Sequence, residues 1–174
     1  PGKRVVAQIA PAVRVAIGEE FGLPAGKNTI GKIFTALRML GFDTVFDTSF
    51  SADLTVIEEA NELLYKLKNG EQKYPLGNSL PLFTSCCPAW VRFVETKYPE
   101  LLPYVSTCKS PMEMFGAVLK EYYKPADEEA GMETVSVAVM PCVAKKHEAA
   151  REEFKRNEVP DVDYVITTKE LILM

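Results

Sequence analysis

The sequence contains few of the residues that bind metals or form disulfides. Its 174 residues include four cysteines, Cys86, Cys87, Cys108 and Cys142, and a single histidine, His147. Two of the thiols are adjacent, which is poor geometry for a disulfide framework, so the chain does not resemble a stapled secreted domain. A low cysteine count fits a reducing compartment, and we predict a cytoplasmic location.

Long apolar runs and an excess of charge are also missing. No run approaches the roughly 18 apolar residues of a membrane-spanning helix, so no membrane span is expected. The 20 basic and 24 acidic residues leave a net charge of −4, which gives no electrostatic footprint for nucleic acid or an anionic membrane. A chain of this length with 47% hydrophobic residues can bury the core of one globular domain.

Strand and helix signals alternate along the chain, which is typical of an α/β domain. We predict a mainly parallel sheet of four or five strands with helices on both faces. The predicted strands cover residues 4–9, 44–47, 80–83, 136–140 and 164–166. The predicted helices include residues 51–68, 90–98, 111–123 and 144–155, with a polar loop over 124–133 and helix caps at Ser110 and Thr167.

The most informative stretch covers residues 84–90 and contains the adjacent Cys86 and Cys87. The predicted strand 80–83 leads into it. Pro88 stands where the next helix begins, because its fixed φ and missing N–H suit that position. A helix N terminus favours thiolate over thiol, so the two cysteines are candidates for metal binding, nucleophilic chemistry or proton transfer. The alternative is that they pack as small hydrophobic side chains.

Three junctions between a strand and a helix share one form, with a proline at the end of the strand. They are Ile9-Ala10-Pro11, Ser85-Cys86-Cys87-Pro88 and Met140-Pro141-Cys142. In open α/β sheets, ligands bind outside the carboxyl ends of the strands. Cys87 and Cys142 can therefore meet in one crevice, although they are far apart in sequence.

Two kinds of metal site could use these thiols. A zinc site would combine Cys86, Cys87, Cys142 and His147, but adjacent residues rarely bind one tetrahedral ion and the usual two-residue gap between thiols is missing. An iron–sulfur cluster needs four ligands, usually thiolates. Only two or three thiols are well placed here, so the ligand set of this chain alone is incomplete.

Residues 84–90 and 140–148 closely resemble the first two signature motifs of the iron-only (FeFe) hydrogenases. Their sequences are T-S-C-C-P-A-W and M-P-C-V-A-K-K-H-E. The resemblance extends through the chain and includes residues 10–14, 46–48, 52–55 and 165–168. It implies a catalytic domain that catalyses the reversible reduction of protons to H₂, with electrons from ferredoxin or a related carrier.

The resemblance also implies a cofactor, the H-cluster, in which a 4Fe–4S cubane is bridged by a cysteine to a di-iron subcluster with CO, cyanide and a dithiolate. By match, Cys87 and Cys142 would bind the cubane, and Cys86 would pass the proton beside the dithiolate. The other matched residues would surround the cofactor: Lys145 as a hydrogen-bond donor to a cyanide, Met140 packed against the di-iron unit, and Ala10, Pro11 and Pro111 as pocket lining.

A proton pathway is implied by the same resemblance, with Glu62, Ser106, Glu59 and Cys86 in order from outside to inside. Without the resemblance, the two glutamates look like a solvated acidic edge. The helical wheel of residues 51–68 predicts that Glu59 lies at the edge of the apolar face and that Glu62 points toward solvent. That apolar face consists of Val56, Ile57, Ala60, Leu63, Leu64 and Leu67.

Two parts of the family pattern are missing from this sequence. The third motif, which supplies the other two cubane cysteines, is absent, as is an upstream ferredoxin-like cysteine cluster. We therefore expect the first part of a truncated or split catalytic domain, one lobe of two, inactive and without its cofactor when alone. Its partner would be the remainder of the domain or a complementary subunit, and apolar surface should be exposed where that partner packs.

Two other functions remain open from the sequence. One is an iron–sulfur assembly or scaffold protein of the same fold without H₂ chemistry. Such relatives usually lack the thiol that corresponds to Cys86, so its presence favours the enzyme. The other is a sensory protein, since sensory members can keep the motifs.

Overall fold

The structure is a computed structural model that describes residues 2–69 and 80–174. Its centre is a parallel four-stranded sheet in the order β2-β1-β3-β6. The strands are β1 (Lys3–Ile9), β2 (Thr44–Asp47), β3 (Glu133–Met140), β4 (Lys155–Arg156), β5 (Val159–Pro160) and β6 (Tyr164–Thr167), with β4 and β5 forming a separate antiparallel pair. The predicted α/β class with a mainly parallel sheet is confirmed.

Helices cover both faces of the sheet. They are α1 (Pro11–Ala16), α2 (Ile30–Met39), α3 (Ser49–Asn69), α4 (Pro88–Lys97), α5 (Pro111–Ala130), α6 (Ala144–Ala149) and α7 (Thr168–Leu173). Side chains alternate along a strand, so β1 sends Ala7 and Ile9 into the core with α1, α2 and α7, and Val6 to the opposite face against Phe115 and Leu119 of α5. Among the described residues, no helix is long and apolar enough to cross a membrane.

The helix starts follow from local chemistry. Prolines open α1, α4 and α5 in their first turns, where a missing N–H costs no hydrogen bond. The Ser110 hydroxyl accepts a hydrogen bond from the Glu113 N–H at 3.4 Å. Thr167 and Glu170 form a reciprocal capping box at the start of α7. Both predicted caps are confirmed.

Residues 80–83, predicted to form a strand, do not join the sheet. Phe83 makes only an isolated parallel bridge with Val105, through a 2.7 Å hydrogen bond from the Phe83 N–H to the Tyr104 carbonyl and another of 2.7 Å from the Ser106 N–H to the Phe83 carbonyl. Pro81 lies in the middle of the run and removes a donor that a sheet strand needs. The adjacent cysteines therefore follow a loop and not the end of a sheet strand.

Two predicted helix ends were also wrong. Helix α5 continues through Pro125 to Ala130 and ends at Gly131, whose φ is 62°, because the polar residues after Tyr123 are mostly good helix formers. Helix α6 ends at Ala149. After Ala149 the backbone leads into the β4–β5 pair, where the Asp161 N–H donates a hydrogen bond to the Phe154 carbonyl at 2.9 Å.

Candidate functional site

The two cysteine motifs lie side by side at the carboxyl edge of the sheet. Cys87 is the N-cap of α4, and α6 begins shortly after β3 ends. The Lys145 ammonium donates to the Cys86 carbonyl at 2.9 Å and pairs with the Glu148 carboxylate at 2.6 Å. Glu148 is buried, so this ion pair holds the Lys145 side chain of the second motif against the backbone of the first.

The thiols of both motifs are accessible. Cys86, Cys87 and Cys142 are free and exposed. Across residues 2–69 and 80–174, no group of three or more His, Cys, Asp or Glu side chains is arranged to hold a metal ion. Cys87 and Cys142 could supply two of the four ligands that a cubane requires. They do not complete the four-ligand set that a structural zinc site requires.

The other residues matched by the family resemblance lie near the same edge. Met140, at the end of β3, and Ala10, just after β1, are buried. The Ala10 N–H donates to the Val139 carbonyl at 3.0 Å, which ties these two strand ends together. Pro11 is exposed and Pro111 is half-buried. Met140, Ala10, Pro11 and Pro111 are thus positioned by the ends of β1 and β3 and by the start of α5.

Glu62 is in the interior of the protein, and the wheel-based prediction that it points toward solvent was wrong. It is only 4% exposed. The Ser106 hydroxyl donates to its Oε2 at 2.6 Å, and Lys66 Nζ lies 3.2 Å from its Oε1. The Thr107 N–H also donates to Oε2 at 3.3 Å. The carboxylate is therefore surrounded by donors from α3 and from the loop before α5.

The physical reason is that α3 turns a polar side inward. Its buried residues are Ser51, Thr55, Glu62 and Lys66. The hydroxyl of Thr55 donates to the Ser51 carbonyl at 3.0 Å, so burial leaves it paired. The wheel assumed that the apolar side faces the core, whereas that side is exposed: Val56, Ile57, Ala60, Leu63, Leu64 and Leu67.

Glu59 occupies an intermediate position on the same helix. It is half-buried, and its Oε1 is buried without a hydrogen-bond partner among the described residues. The Glu59 carboxylate helps to raise the pKa of the Cys108 thiol. Of the four residues of the predicted pathway, Glu62 and Ser106 are joined by a hydrogen bond and Glu59 lies within electrostatic range of Cys108, whereas Cys86 lies just before α4.

Sequence reasoning gave Cys108 no role, yet its thiol contacts Glu62. Cys108 Sγ lies 3.7 Å from Glu62 Oε2, and burial, together with the nearby Glu62 and Glu59 carboxylates, raises the pKa of this thiol to about 11. A cavity of about 710 Å³ opens beside it, with Ser85, Ser106 and Cys108 in its lining. The only sequence signal was the position of Cys108, two residues after Ser106.

Glu113 is a second buried carboxyl that sequence reasoning missed. It lies in the first turn of α5 and is fully buried. Neither of its oxygens has a hydrogen-bond partner in the described part of the chain. Burial, followed by the charges of Glu148 and Asp161, raises its pKa to about 8. Its position in a first turn, where glutamate is common, gave no warning of this.

Comparison with known proteins identifies the family. Residues 3–174 match the family described as "Iron only hydrogenase large subunit, C-terminal domain". The chain belongs to this family. It is 51% identical to the "NADP-reducing hydrogenase subunit HndD" of Solidesulfovibrio fructosivorans, covering 98% of this chain and 29% of that protein. It is 45% identical to "Iron hydrogenase 1" of Clostridium pasteurianum, covering 100% of this chain and 29% of the relative.

Solved structures agree with this family membership. An FeFe hydrogenase studied for damage to the 2Fe subcluster of its H cluster matches with a TM-score of 0.87 and 45% identity, over 98% of this chain and 42% of that one. The chain is also 34% identical to a "Cytosolic Fe-S cluster assembly factor narfl" of Danio rerio, over 99% of this chain and 42% of the relative. The chain thus spans 29% to 42% of the length of these four proteins.

Proposed function

We propose that the complete protein carrying this chain is an FeFe hydrogenase that reversibly reduces protons to H₂ with electrons from ferredoxin or a related carrier. The observation that best supports the proposal is the contact of Lys145 Nζ with the Cys86 carbonyl at 2.9 Å. It joins the two motifs that would hold the cofactor. We place the protein in the cytoplasm on its low cysteine count.

Cys87 and Cys142 would bind the 4Fe–4S cubane of the H-cluster. The two remaining cubane ligands would come from the remainder of the catalytic domain or from a complementary subunit. The bound cofactor would supply the redox chemistry by storing electrons and combining them with protons. Met140, Ala10, Pro11 and Pro111 would line its pocket, where apolar groups exclude water.

Lys145 would orient the cofactor by hydrogen bonding. An ammonium group has three N–H donors, and two of them are directed at the Cys86 carbonyl and at Glu148 Oε2. The third can donate to a cyanide ligand of the di-iron subcluster. Glu148 would act as the positioning residue, because its ion pair holds the lysine side chain in place.

Protons would pass along Glu62, Ser106, Glu59 and Cys86. A serine hydroxyl both donates and accepts, so Ser106 can take a proton on one side and release one on the other. Its 2.6 Å hydrogen bond to Glu62 supports this role. Cys86, exposed at the start of α4, would make the last transfer to the cofactor.

Comparison of the full-length protein with the isolated chain tests this proposal. The full-length protein, matured without oxygen, should evolve H₂ and show a 4Fe–4S signal by electron paramagnetic resonance. The 174-residue chain alone should show neither, because two of four thiolate ligands are missing. A stoichiometric cubane signal from the isolated chain would mean that the ligands are misassigned. Clusters without H₂ turnover in the full-length protein would favour an assembly or sensory role.

A further inference from the structure

The carboxylate of Glu62 receives two side-chain donors on the same oxygen. The Ser106 hydroxyl donates to Oε2 at 2.6 Å, and the Cys108 thiol lies 3.7 Å from that atom. In this contact the thiol S–H donates and the carboxylate oxygen accepts. Cys108 therefore shares with Ser106 the oxygen that would receive and release protons.

Cys108 stays a protonated donor at neutral pH. Burial and the Glu62 and Glu59 carboxylates raise the pKa of its thiol to about 11. Its backbone is anchored at both ends: the Ser85 hydroxyl donates to the Cys108 carbonyl at 2.8 Å, and the Cys108 N–H donates to Ser106 Oγ at 3.1 Å. The thiol is thus held beside Glu62 by the same loop that carries Ser106.

The Cys108 N–H also restricts Ser106. It occupies one acceptor position on Oγ, and the single hydroxyl proton points to Glu62 Oε2. This is the arrangement expected after one transfer. In that transfer the Glu62 O–H bond breaks as a new Ser106 O–H bond forms, while the earlier Ser106 O–H bond breaks as Glu59 gains the proton.

The relay must then reset. The Ser106 hydroxyl has to turn from Glu62 back toward Glu59, and Glu62 Oε2 loses its short donor until a new proton arrives. The Thr107 N–H, at 3.3 Å, then remains on Oε2 as a long backbone donor, and a buried carboxylate oxygen that loses its shortest hydrogen bond is destabilised. The Cys108 thiol does not have to move in this step, so it can remain on Oε2 throughout.

We infer that Cys108 is a positioning residue of the proton relay, whose thiol holds the Glu62 carboxylate in place while the Ser106 hydroxyl turns. The inference rests on the proposed proton pathway. It concerns the reset step. In that step the thiol keeps its own proton, and its hydrogen bond to Glu62 Oε2 replaces the one that the Ser106 hydroxyl gives up.

Turnover of matured full-length variants tests the inference. Cys108→Ala should lower H₂ evolution about three- to tenfold, the loss expected for one weak hydrogen bond, with unchanged iron content and a larger solvent isotope effect. Cys108→Ser keeps a donor and should restore most of the turnover. Wild-type turnover in Cys108→Ala, or a Cys108→Ser variant as slow as the alanine variant, would overturn the inference.

A second measurement reads the contact without turnover. In the full-length protein before cofactor insertion, the pH dependence of Cys108 alkylation, followed by peptide mass mapping, reports its pKa. Glu62→Gln should lower that pKa from about 11, because one of the carboxylates that raise it is gone, and should shift the S–H stretching band. An unchanged pKa together with an unchanged S–H band would show that the Cys108 thiol does not contact Glu62, and would overturn the inference.

The same series separates this inference from the proposed pathway. If Glu62→Gln and Ser106→Ala both keep wild-type turnover, the pathway itself is wrong. If both lose turnover while Cys108→Ala keeps it, the pathway stands and only the role of Cys108 is refuted.

Discussion

Two glutamates are buried almost equally deeply in this protein, but in different surroundings. Glu62 is 4% exposed and Glu113 is 0% exposed. Glu62 is reached by the Ser106 hydroxyl, the Thr107 N–H and the Lys66 ammonium. Neither carboxyl oxygen of Glu113 has a hydrogen-bond partner in the described residues, and its pKa is raised to about 8. Burial alone therefore does not set the environment of a glutamate carboxyl; the hydrogen-bond donors around it differ between the two sites.

The comparison predicts a large difference in activity between the two glutamates. Glu62→Gln in the matured full-length protein should reduce H₂ evolution by at least about 100-fold, because the proposed proton carrier is lost. The matched variant Glu113→Gln should retain turnover within about twofold, since Glu113 has no place in the relay. Iron content should stay at the wild-type level in both. Equal losses in the two variants would contradict the distinction.

A smaller difference is expected in the pH dependence of stability. The folded-state pKa of Glu113, about 8, lies above its ordinary value of 4.5. Between these two pH values the folded protein keeps a proton on Glu113 that the unfolded chain releases. The stabilisation of the folded state that is present below pH 4.5 is therefore lost as pH rises through about 8.

Glu113→Gln removes this loss, because the amide does not ionise. Relative to wild type, the variant should be more stable at pH 8 than at pH 5 by about 2–4 kcal/mol. Thermal unfolding of both proteins at the two pH values measures the difference. Parallel melting curves for the two proteins across this range would mean that Glu113 is ionised in the folded state.

The smallest effect is expected on the opposite side of α3 from Glu62. Leu64 is 51% exposed, so Leu64→Asn should change the stability of the isolated chain by less than about 0.5 kcal/mol. Leu37→Ala, in the buried face of α2, should cost about 2–5 kcal/mol. Denaturant titration of the two variants gives both values. A large cost at Leu64 would mean that the apolar side of α3 is covered in the isolated chain.

Elements fixed by local chemistry could be predicted from the sequence. The starts of α1, α4 and α5 follow from Pro11, Pro88 and Pro111, because the fixed φ and missing N–H of proline suit a first helical turn whatever packs around it. The parallel sheet follows from the alternation of strand and helix signals. The two cysteine motifs were visible for the same reason, since each is a short continuous segment.

Features that depend on distant partners could not be predicted. The prediction of which side of α3 faces the core was wrong because Glu62 and Lys66 are buried together and Glu62 hydrogen bonds to Ser106. The spacing of apolar residues along the helix does not indicate these contacts. The contact of Cys108 with Glu62 joins residues 46 positions apart. The isolation of Glu113 likewise depends on what packs around α5. The roles of Cys86, Cys87 and the other site residues stay predictions.

The central claim is that the adjacent Cys86 and Cys87 divide proton transfer and cluster binding between them. Iron content and H₂ evolution of two matured full-length variants, measured side by side, test it most directly. Cys86→Ser should keep its iron but lose turnover by orders of magnitude, because a hydroxyl releases a proton far less readily than a thiol. Cys87→Ala should lose iron, because a thiolate ligand is gone. Iron loss in Cys86→Ser, with iron and activity both kept in Cys87→Ala, would contradict the account.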